Sequence, residues 1–219
     1  MKIGIIGAGN IGGNLTRRLT ALGHEVAVAN SRGPHTLSEL TAETGATAVT
    51  VEQAARGAAV VVVTIPLKNI PDLPPNLFAG AAADLAVIDT GNYYPQQRDG
   101  RIAEIEDGTT ESRWTAGHLG HTVVKAFNGT YAADILDKPR PKGAPDRVAL
   151  PVAGDDEAAK QAVRALIDEI GFDTVDAGTL DESWRQQPGT PVYGLVGDVA
   201  AVSKALAEAE PQRPADFRA

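Results

Sequence analysis

Residues 2–23, KIGIIGAGNIGGNLTRRLTALG, decide the fold. The β-branched run from Lys2 to Ile6 predicts a short buried strand, and a glycine-rich turn over residues 7–12 follows it directly. Apolar residues then recur at helical spacing until the chain reaches Gly23, a residue that favours a helix end. Strand, glycine turn and helix in this order predict a dinucleotide-binding unit at the start of the chain.

The three glycines of the fingerprint have separate physical tasks. Gly7 allows the tight turn off the strand, Gly9 lets backbone approach a pyrophosphate, and Gly12 lets the helix pack closely on the strand. The N–H groups at the helix start, at Asn10 and Ile11, can then bind phosphate oxygens. We therefore predict that these five residues bind the pyrophosphate. The alternative interpretation is a glycine turn without a ligand.

The end of the second predicted strand, His24 to Ala29, indicates which dinucleotide binds. NAD-specific proteins usually place an acid there, whereas this chain has Asn30, Ser31 and Arg32. A carboxylate would repel a 2′-phosphate, but a hydroxyl and a guanidinium can donate hydrogen bonds to it. We predict NADP(H) as cofactor, with His35 as a further phosphate contact. In the alternative interpretation, Arg32 is a solvated loop residue.

Composition excludes several classes of protein. The chain has 219 residues, a hydrophobic content of 43% and a net charge of −8, which is typical of a globular protein and disfavours nucleic acid and anionic membrane surfaces as partners. It has no cysteine, so disulfides and thiolate chemistry are excluded and redox chemistry falls to a bound cofactor. The first apolar stretch is too short for a signal peptide or a membrane span, and we expect a cytoplasmic protein.

Strand-like and helix-like runs alternate along the chain. This alternation predicts an α/β fold, a doubly wound parallel sheet of the Rossmann type with a small C-terminal extension. Further strands are predicted at 46–49, 59–65, 85–89, 122–127, 147–153 and 172–175. A proline-rich stretch at 138–145 separates a predicted NADP-binding domain, 1–137, from a smaller portion, 138–219, that completes the sheet and covers the acceptor site. We expect the polar tail from Pro211 to be frayed or bound to a partner.

Polar and small residues follow the fourth, fifth and sixth predicted strands. Ligands of open α/β sheets bind at these carboxyl ends. The residues that we place around the nicotinamide are Thr64, Ile65, Pro66, Asn92 and Asn128. Leu67 would line the acceptor pocket together with Pro66 and the two asparagines, whose amides can anchor a carboxamide or a ribose. Turn formation is the alternative role of the asparagines.

No side chain in this region is a convincing general acid. Hydride transfer between two rings needs little acid–base help, so we assign no catalytic acid or base. Lys125 lies within a predicted strand, which favours a structural or edge-facing role. His118 and His121 are three residues apart, but Gly117 and Gly120 argue against a helix that would bring them together, and no third ligand is evident. We therefore predict no metal site.

Several short markers resemble those of the NADP oxidoreductases, a family that includes the coenzyme F(420)-dependent NADP reductases and the NADPH-binding domain of the six-transmembrane epithelial antigens of prostate. The markers are IGIIGAGNIGGNL at 3–15, NSR at 30–32, TIP at 64–66, VVKAF at 123–127 followed by Asn128, VAGDD at 152–156 and DAG at 176–178. Their order and spacing extend over most of the chain.

The resemblance implies a small homodimeric enzyme that moves hydride between NADP(H) and a flat small-molecule acceptor, either coenzyme F(420) or a flavin such as FMN or FAD. In the F(420)-dependent members a histidine follows the sixth strand, and Asn128 stands at the matching position here. This departure resembles the metalloreductase domains, whose acceptor is a flavin.

Two other functions fit the sequence. One is an NADPH-binding sensor or regulatory protein that does not turn over its ligand. The other is a reductase of a small carbonyl or imine compound, which would need a general acid such as Lys125 or Tyr94. The segment from Ser183 to Tyr193, which is polar, aromatic and rich in proline, is a candidate cover for the acceptor site.

Overall fold

The computed structural model describes all 219 residues, and its centre is one eight-stranded sheet. The strands are β1 (Lys2–Ile6), β2 (Glu25–Ala29), β3 (Thr47–Ala48), β4 (Val60–Val63), β5 (Ala86–Asp89), β6 (Val124–Lys125), β7 (Ala149–Gly154) and β8 (Asp173–Asp176). Their order is β3-β2-β1-β4-β5-β6-β7-β8, so the chain winds outward from β1 in both directions. The predicted doubly wound Rossmann fold is confirmed.

Eight helices cover the sheet. They are α1 (Asn10–Ala21), α2 (Ser38–Thr44), α3 (Val51–Ala54), α4 (Ala103–Glu106), α5 (Glu111–Leu119), α6 (Asp134–Asp137), α7 (Glu157–Ile170) and α8 (Val199–Ala207). The long α7 begins where the Asp156 side chain accepts hydrogen bonds from two backbone N–H groups, and it ends at the left-handed Gly171. None of the helices combines the length and the apolar character needed to cross a membrane.

The core lies on both faces of the sheet. On one face, 25 buried residues pack α1 and α7 against the strands, and on the other face 18 buried residues include side chains of α3 and α5. All four valines of β4 are buried, as expected for a central parallel strand that is covered on both sides. Helix α8 packs its buried residues onto β7 in a third, smaller cluster.

The register of the parallel strands brings their carboxyl ends to one line. Ile6 of β1 lies beside Ala29 and Val63, and the line continues through Asp89 to Lys125. The residues that follow these positions therefore meet along one edge of the sheet. All the predicted cofactor and acceptor residues follow β1, β2, β4, β5 or β6, so the fold places them at this edge.

The last two strands run against the direction of the first six. Gly154 at the end of β7 pairs with Val124 at the start of β6, and β8 is parallel to β7. Only one helical turn, α6, follows β6, so the chain does not cross back over the sheet and β7 starts from the edge where β6 ends. The larger core cluster contains residues from both sides of position 137, and the predicted domain boundary there stays a prediction.

Two local expectations were wrong in part. The predicted sixth strand, 122–127, is shortened at both ends to Val124–Lys125, and the left-handed conformation of Phe127, with φ at 62°, limits the extended chain on the C-terminal side. Helix α5 runs through Gly117, contrary to the expectation, but it ends at the left-handed Gly120 before His121, so no helix joins the two histidines.

The C-terminal tail also differs from the expectation of a frayed end. It folds back onto the body of the protein, where Arg213 pairs with Glu111 and the Ala219 N–H donates to Glu106. A short 3₁₀ turn, Ala215–Phe217, lies within it. These contacts hold the tail against the body of the protein, and binding of a partner to it stays a prediction.

Asp155 joins the C-terminal portion to α5, and it generates a test of the fold. Its carboxylate pairs with Arg113 and accepts the Leu180 N–H at 3.0 Å. Hydrogen bonding to the Arg113 guanidinium is the main reason why the pKa of Asp155 lies below its usual value. A carboxylate with a lowered pKa adds stability above the unfolded-state pKa, about 3.9, and this contribution is lost as the pH falls through the folded value.

We expect Asp155→Asn to lower the free energy of unfolding by about 0.5–1 kcal/mol at pH 7, typical of a partly exposed ion pair, and by less at pH 3. Urea unfolding at several pH values measures this difference. Asp84→Asn is the control, because Asp84 is exposed and has no ion-pair partner. An Asp155→Asn deficit that stays constant down to pH 3 would contradict the assignment.

Candidate active site

The glycine turn has the geometry that its sequence predicts. Gly7 has a φ of 111°, and a Cβ there would overlap the Thr64 carbonyl of the neighbouring strand end. A Cβ at Gly12 would overlap the Gly7 carbonyl, so the helix can lie this close only without a side chain. A Cβ at Gly9, in contrast, would meet nothing within 4 Å. Gly9 therefore faces open space, which is what a bound pyrophosphate requires.

The start of α1 carries a row of unused hydrogen-bond donors. The N–H groups of residues 8 to 12 donate to no acceptor in the chain, and the first bond of the helix runs from the Gly13 N–H to the Gly9 carbonyl. The N-cap residue is Gly9, which has no side chain that could satisfy them. Five free donors at the positive end of a twelve-residue helix fit the phosphates of a dinucleotide.

A groove of about 450 Å³ runs from this helix start along the loop after β2. Among its lining residues are Gly9, Asn10, Asn14, Arg17, Arg32 and Thr36. The Arg17 guanidinium is held by Glu43 through two hydrogen bonds of 2.7 Å. Arg32 is exposed and is paired with no carboxylate, so its charge is available to a ligand phosphate.

Asn30 shapes this loop from within. Its Oδ1 accepts the Arg32 N–H at 3.0 Å, and its Nδ2 donates to Thr36 Oγ1 at 2.9 Å. The side chain of Asn30 thus fixes the backbone that carries Ser31 and Arg32. Ser31 and His35 are exposed beside it, with the His35 ring next to Gly33. Direct contact of these side chains with a 2′-phosphate stays a prediction.

The end of β4 supplies one wall of the expected nicotinamide site. Thr64, Ile65 and Pro66 lie at the sheet edge and are partly exposed. Leu67 is fully buried and contacts Gly91, so it backs the pocket rather than lining it as predicted. The apolar side chain faces the core because a 3₁₀ turn, Leu67–Asp72, follows directly and turns Leu67 inward.

The two predicted asparagines are brought together at the ends of β5 and β6. Asn92 Nδ2 donates to the Asn128 carbonyl at 2.8 Å, and Asn128 Nδ2 donates to Asn92 Oδ1 at 3.1 Å. A second hydrogen bond of 2.6 Å joins Asn128 Nδ2 to the Gln186 carbonyl. Asn128 is buried, and the hydrogen bonds of its side-chain amide go to Asn92 and Gln186. Its direct contact with a cofactor stays a prediction.

Backbone strain accompanies this arrangement. Phe127 is the one non-glycine residue of the chain with a positive φ, and its ring is anchored in the core. A left-handed conformation in a bulky residue costs about 1–3 kcal/mol and persists only where surrounding packing enforces it. The turn at Phe127 directs Asn128 toward β5, so the strained conformation helps to position Asn128 beside Asn92 at the carboxyl ends of the strands.

The sequence did not reveal a pair of tyrosines beside the asparagines. The hydroxyl groups of Tyr94 and Tyr193 are hydrogen-bonded to each other, and Asn92 Nδ2 lies 3.4 Å from the Tyr193 oxygen. Burial, followed by the neighbouring Tyr94 hydroxyl, raises the pKa of Tyr193 well above its usual value, so it stays protonated at neutral pH. Only the polar and aromatic character of the segment 183–193 signalled that it covers this edge.

The remaining candidates lie outside the site. His118 Nδ1 contacts the Trp114 carbonyl at 3.0 Å, and His121 Nδ1 contacts the Thr122 carbonyl at 2.7 Å. No group of three or more histidine, aspartate and glutamate side chains has the geometry to hold a metal ion. Lys125 is fully buried and donates to the Gly91 carbonyl at 3.0 Å, so it has a structural contact rather than an edge-facing position.

Comparison with known proteins identifies a family whose model matches the first part of the chain. The family described as NADP oxidoreductase, coenzyme F(420)-dependent, matches residues 2–93. The protein YjhV of Escherichia coli strain K12 is 44% identical over 66 residues, which are 30% of this chain and 48% of YjhV. The match thus spans about half the length of that curated relative.

Two solved structures resemble nearly the whole chain. The hypothetical protein SMa0349 from Sinorhizobium meliloti is 31% identical, with a TM-score of 0.76 over 90% of this chain and 96% of that one. A proposed F(420)-dependent NADP reductase from Arthrobacter sp. FB24 is 26% identical, with a TM-score of 0.66 over 82% of this chain and 86% of that one. The similarity therefore extends through the C-terminal portion.

Gly9 and Gly12 give a matched pair of variants. We expect Gly9→Ala to change the free energy of unfolding by less than about 0.5 kcal/mol, because its methyl group meets open space. The same methyl group should raise the Kd for NADPH by roughly 10-fold or more, since it displaces a phosphate from the free N–H groups. Gly12→Ala should lower the free energy of unfolding by about 1–3 kcal/mol through overpacking. Urea unfolding and calorimetric titration measure both quantities; NADPH binding by Gly9→Ala at wild-type affinity would contradict the site.

Arg32 provides the test of cofactor choice. We expect Arg32→Ala to raise the Kd for NADPH by roughly 10-fold to 100-fold, as one or two charge-assisted hydrogen bonds are lost, and to leave the Kd for NADH nearly unchanged. Titration of both nucleotides measures the two effects. Arg56→Ala, a change of an exposed arginine away from the groove, is the control. An equal loss for both nucleotides would show that Arg32 does not read the 2′-phosphate.

Proposed function

We propose that this chain transfers hydride between NADP(H) and a flat acceptor of the deazaflavin or flavin type, with coenzyme F(420) as the first candidate. The proposal is based on membership of the family of coenzyme F(420)-dependent NADP oxidoreductases. The observation that carries the cofactor half of this proposal is the row of free N–H groups at residues 8 to 12 beside the open Gly9.

The described residues fit a bound NADP(H) molecule. The helix start would hold the pyrophosphate, and the loop from Asn30 to Arg32 would hold the adenosine ribose and its 2′-phosphate. Thr64 and Ile65 would border the nicotinamide at the switch point between β1 and β4. When bound, NADP(H) supplies or accepts the hydride. The protein contributes position and the exclusion of water.

A cover over the sheet edge supports the acceptor half of the proposal. Gln186 and Tyr193 lie across the ends of β5 and β6 and are fixed there by Asn128 and Asn92. Hydride transfer between stacked rings requires such an enclosed, rigid site more than it requires an acid or a base. The family favours F(420) over FMN or FAD, although Asn128 departs from the histidine of the F(420)-dependent members.

A second candidate function is reduction of a small carbonyl or imine compound. The hydrogen-bonded hydroxyls of Tyr94 and Tyr193 favour it, because such a reduction needs a proton as well as a hydride. Tyr193 remains protonated at neutral pH and could donate a hydrogen bond to the substrate. Lys125 is excluded from direct contact with the substrate by its burial.

Stopped-flow oxidation of NADPH with F(420), FMN and FAD as separate acceptors tests the first function. We expect turnover on the order of one per second or faster with F(420). Tyr94→Phe and Tyr193→Phe should lower this rate less than about 10-fold, since ring-to-ring hydride transfer needs little acid help. A panel of small ketones and imines is assayed beside them, and there the same variants should cost about 10²–10⁴-fold if the tyrosines donate the proton.

The outcomes separate the alternatives. Tight NADPH binding without turnover on any acceptor would contradict both enzymatic functions and favour the NADPH sensor. In that case the affinities for NADP⁺ and NADPH should differ sharply, because a ligand shifts a conformational equilibrium only through differential affinity. The homodimer and the cytoplasmic location stay predictions.

A further inference from the structure

The C-terminal tail, residues 211–219, packs against two segments at the proposed acceptor side of the site: the loop after β5 and the covering segment, residues 183–193. Its Phe217 ring lies 6.2 Å from the Tyr94 ring, centre to centre, and Gln96 Nε2 donates to the Arg218 carbonyl at 3.0 Å. On the other side, Gly189 lies so close to Pro214 and Phe217 that a Cβ would overlap them. The tail therefore contacts the loop after β5 and the covering segment at once.

Arg213 is the residue of the tail that reaches furthest inward. Its guanidinium donates to Glu111 Oε1 at 2.8 Å and to Gln187 Oε1 at 2.9 Å. It also lies over the Tyr93 ring, 5.2 Å from the centre. Glu111 has no exposed surface, so the tail cation is a partner of a fully buried carboxylate.

Glu111 links Arg213 to Lys125 and so to the end of β5. Its second oxygen lies 3.5 Å from Lys125 Nζ, and neither side chain is exposed. Lys125 Nζ donates to the Gly91 carbonyl at 3.0 Å. Arg213, Glu111 and Lys125 thus form one buried chain of charges that ends on the backbone of Gly91.

Gly91 is also held through its N–H group. Asp89 Oδ1 accepts the Gly91 N–H at 2.8 Å, and Asp89 Oδ2 accepts the Ser112 hydroxyl at 2.7 Å. Asp89 and Lys125 are neighbours in the register of β5 and β6. Both polar groups of Gly91 are therefore fixed, and Asn92 is the next residue.

Two cations and two carboxylates balance in this network, yet burial of each charge is costly. Well-packed apolar residues stabilise a core about as well as a buried ion pair, whereas removal of one partner leaves an uncompensated charge. Apolar residues could therefore stabilise the fold about as well as this network does. What the network adds is that it fixes the loop after β5 in one position. Arg213 is the member that the tail supplies.

We infer that Arg213 is a positioning residue: through Glu111 and Lys125, the C-terminal tail sets the loop of residues 90–94 and with it the acceptor side of the site. The inference rests on the proposed function for its catalytic readout. The proposed phosphate-binding elements, the start of α1 and the loop after β2, make no contact with this network and should not respond.

Arg213→Gln tests the inference, with Arg213→Lys as the conservative variant and Arg140→Gln as the matched control. Arg140 is ion-paired at the surface with Asp146, far from the site. We expect Arg213→Gln to lower kcat with F(420) by roughly 10-fold to 100-fold, as misplaced reacting groups do, and to leave the Kd for NADPH within about twofold. Arg213→Lys keeps a positive charge beside Glu111, so the lysine variant should recover part of the lost kcat.

Hydrogen exchange gives a readout that does not need turnover. Amides of residues 90–94 should exchange faster in Arg213→Gln than in the wild type and in Arg140→Gln, while those of α1 stay unchanged. Unchanged exchange at 90–94, or an equal acceleration over the whole chain, would overturn the inference. If the wild type turns over no acceptor, the proposed function fails while this comparison still decides the role of Arg213. Should Arg213→Gln fail to fold, the lysine variant carries the same two measurements.

Discussion

The alignment of five strand ends is the constraint on which the rest of the structure depends. Ile6, Ala29, Val63, Asp89 and Lys125 occupy neighbouring register positions, so each following loop starts from the same edge of the sheet. A shift of one residue in any pair would turn buried side chains to the opposite face. The buried valines of β4 oppose such a shift, and in this way apolar packing fixes where the polar residues meet.

Features that depend on neighbours in the chain could be predicted from the sequence. Gly7, Gly9 and Gly12 have the conformations and clearances that a dinucleotide turn demands, because these follow from steric rules within a few residues. The ends of α7, at the side-chain cap Asp156 and the left-handed Gly171, depend on local rules of the same kind. The doubly wound fold could be predicted as well, since parallel strands with helical crossovers allow few topologies.

Features that depend on distant side chains could not be predicted. Tyr94 and Tyr193 are 99 residues apart, and Glu111 and Arg213 are 102 residues apart, so no periodicity links them. The tail has the composition of a loose end and is held by contacts that composition does not record. Leu67 was assigned to a pocket because it follows a strand end, but the 3₁₀ turn after Pro66 directs it inward.

This division also separates the two halves of the proposed reaction. The family match ends at residue 93, so it includes the glycine turn, the loop at Arg32 and the end of β4, but not Asn128 or the tyrosine of the covering segment. The proposed cofactor half thus depends on short, local signals within the matched range. The proposed acceptor half depends instead on Asn92, Asn128 and segments near the C-terminus, which hydrogen bonds and buried charges bring together. Because these contacts lie away from the glycine turn, a change at one of them would alter the proposed acceptor side while the turn that is proposed to bind the pyrophosphate stays intact.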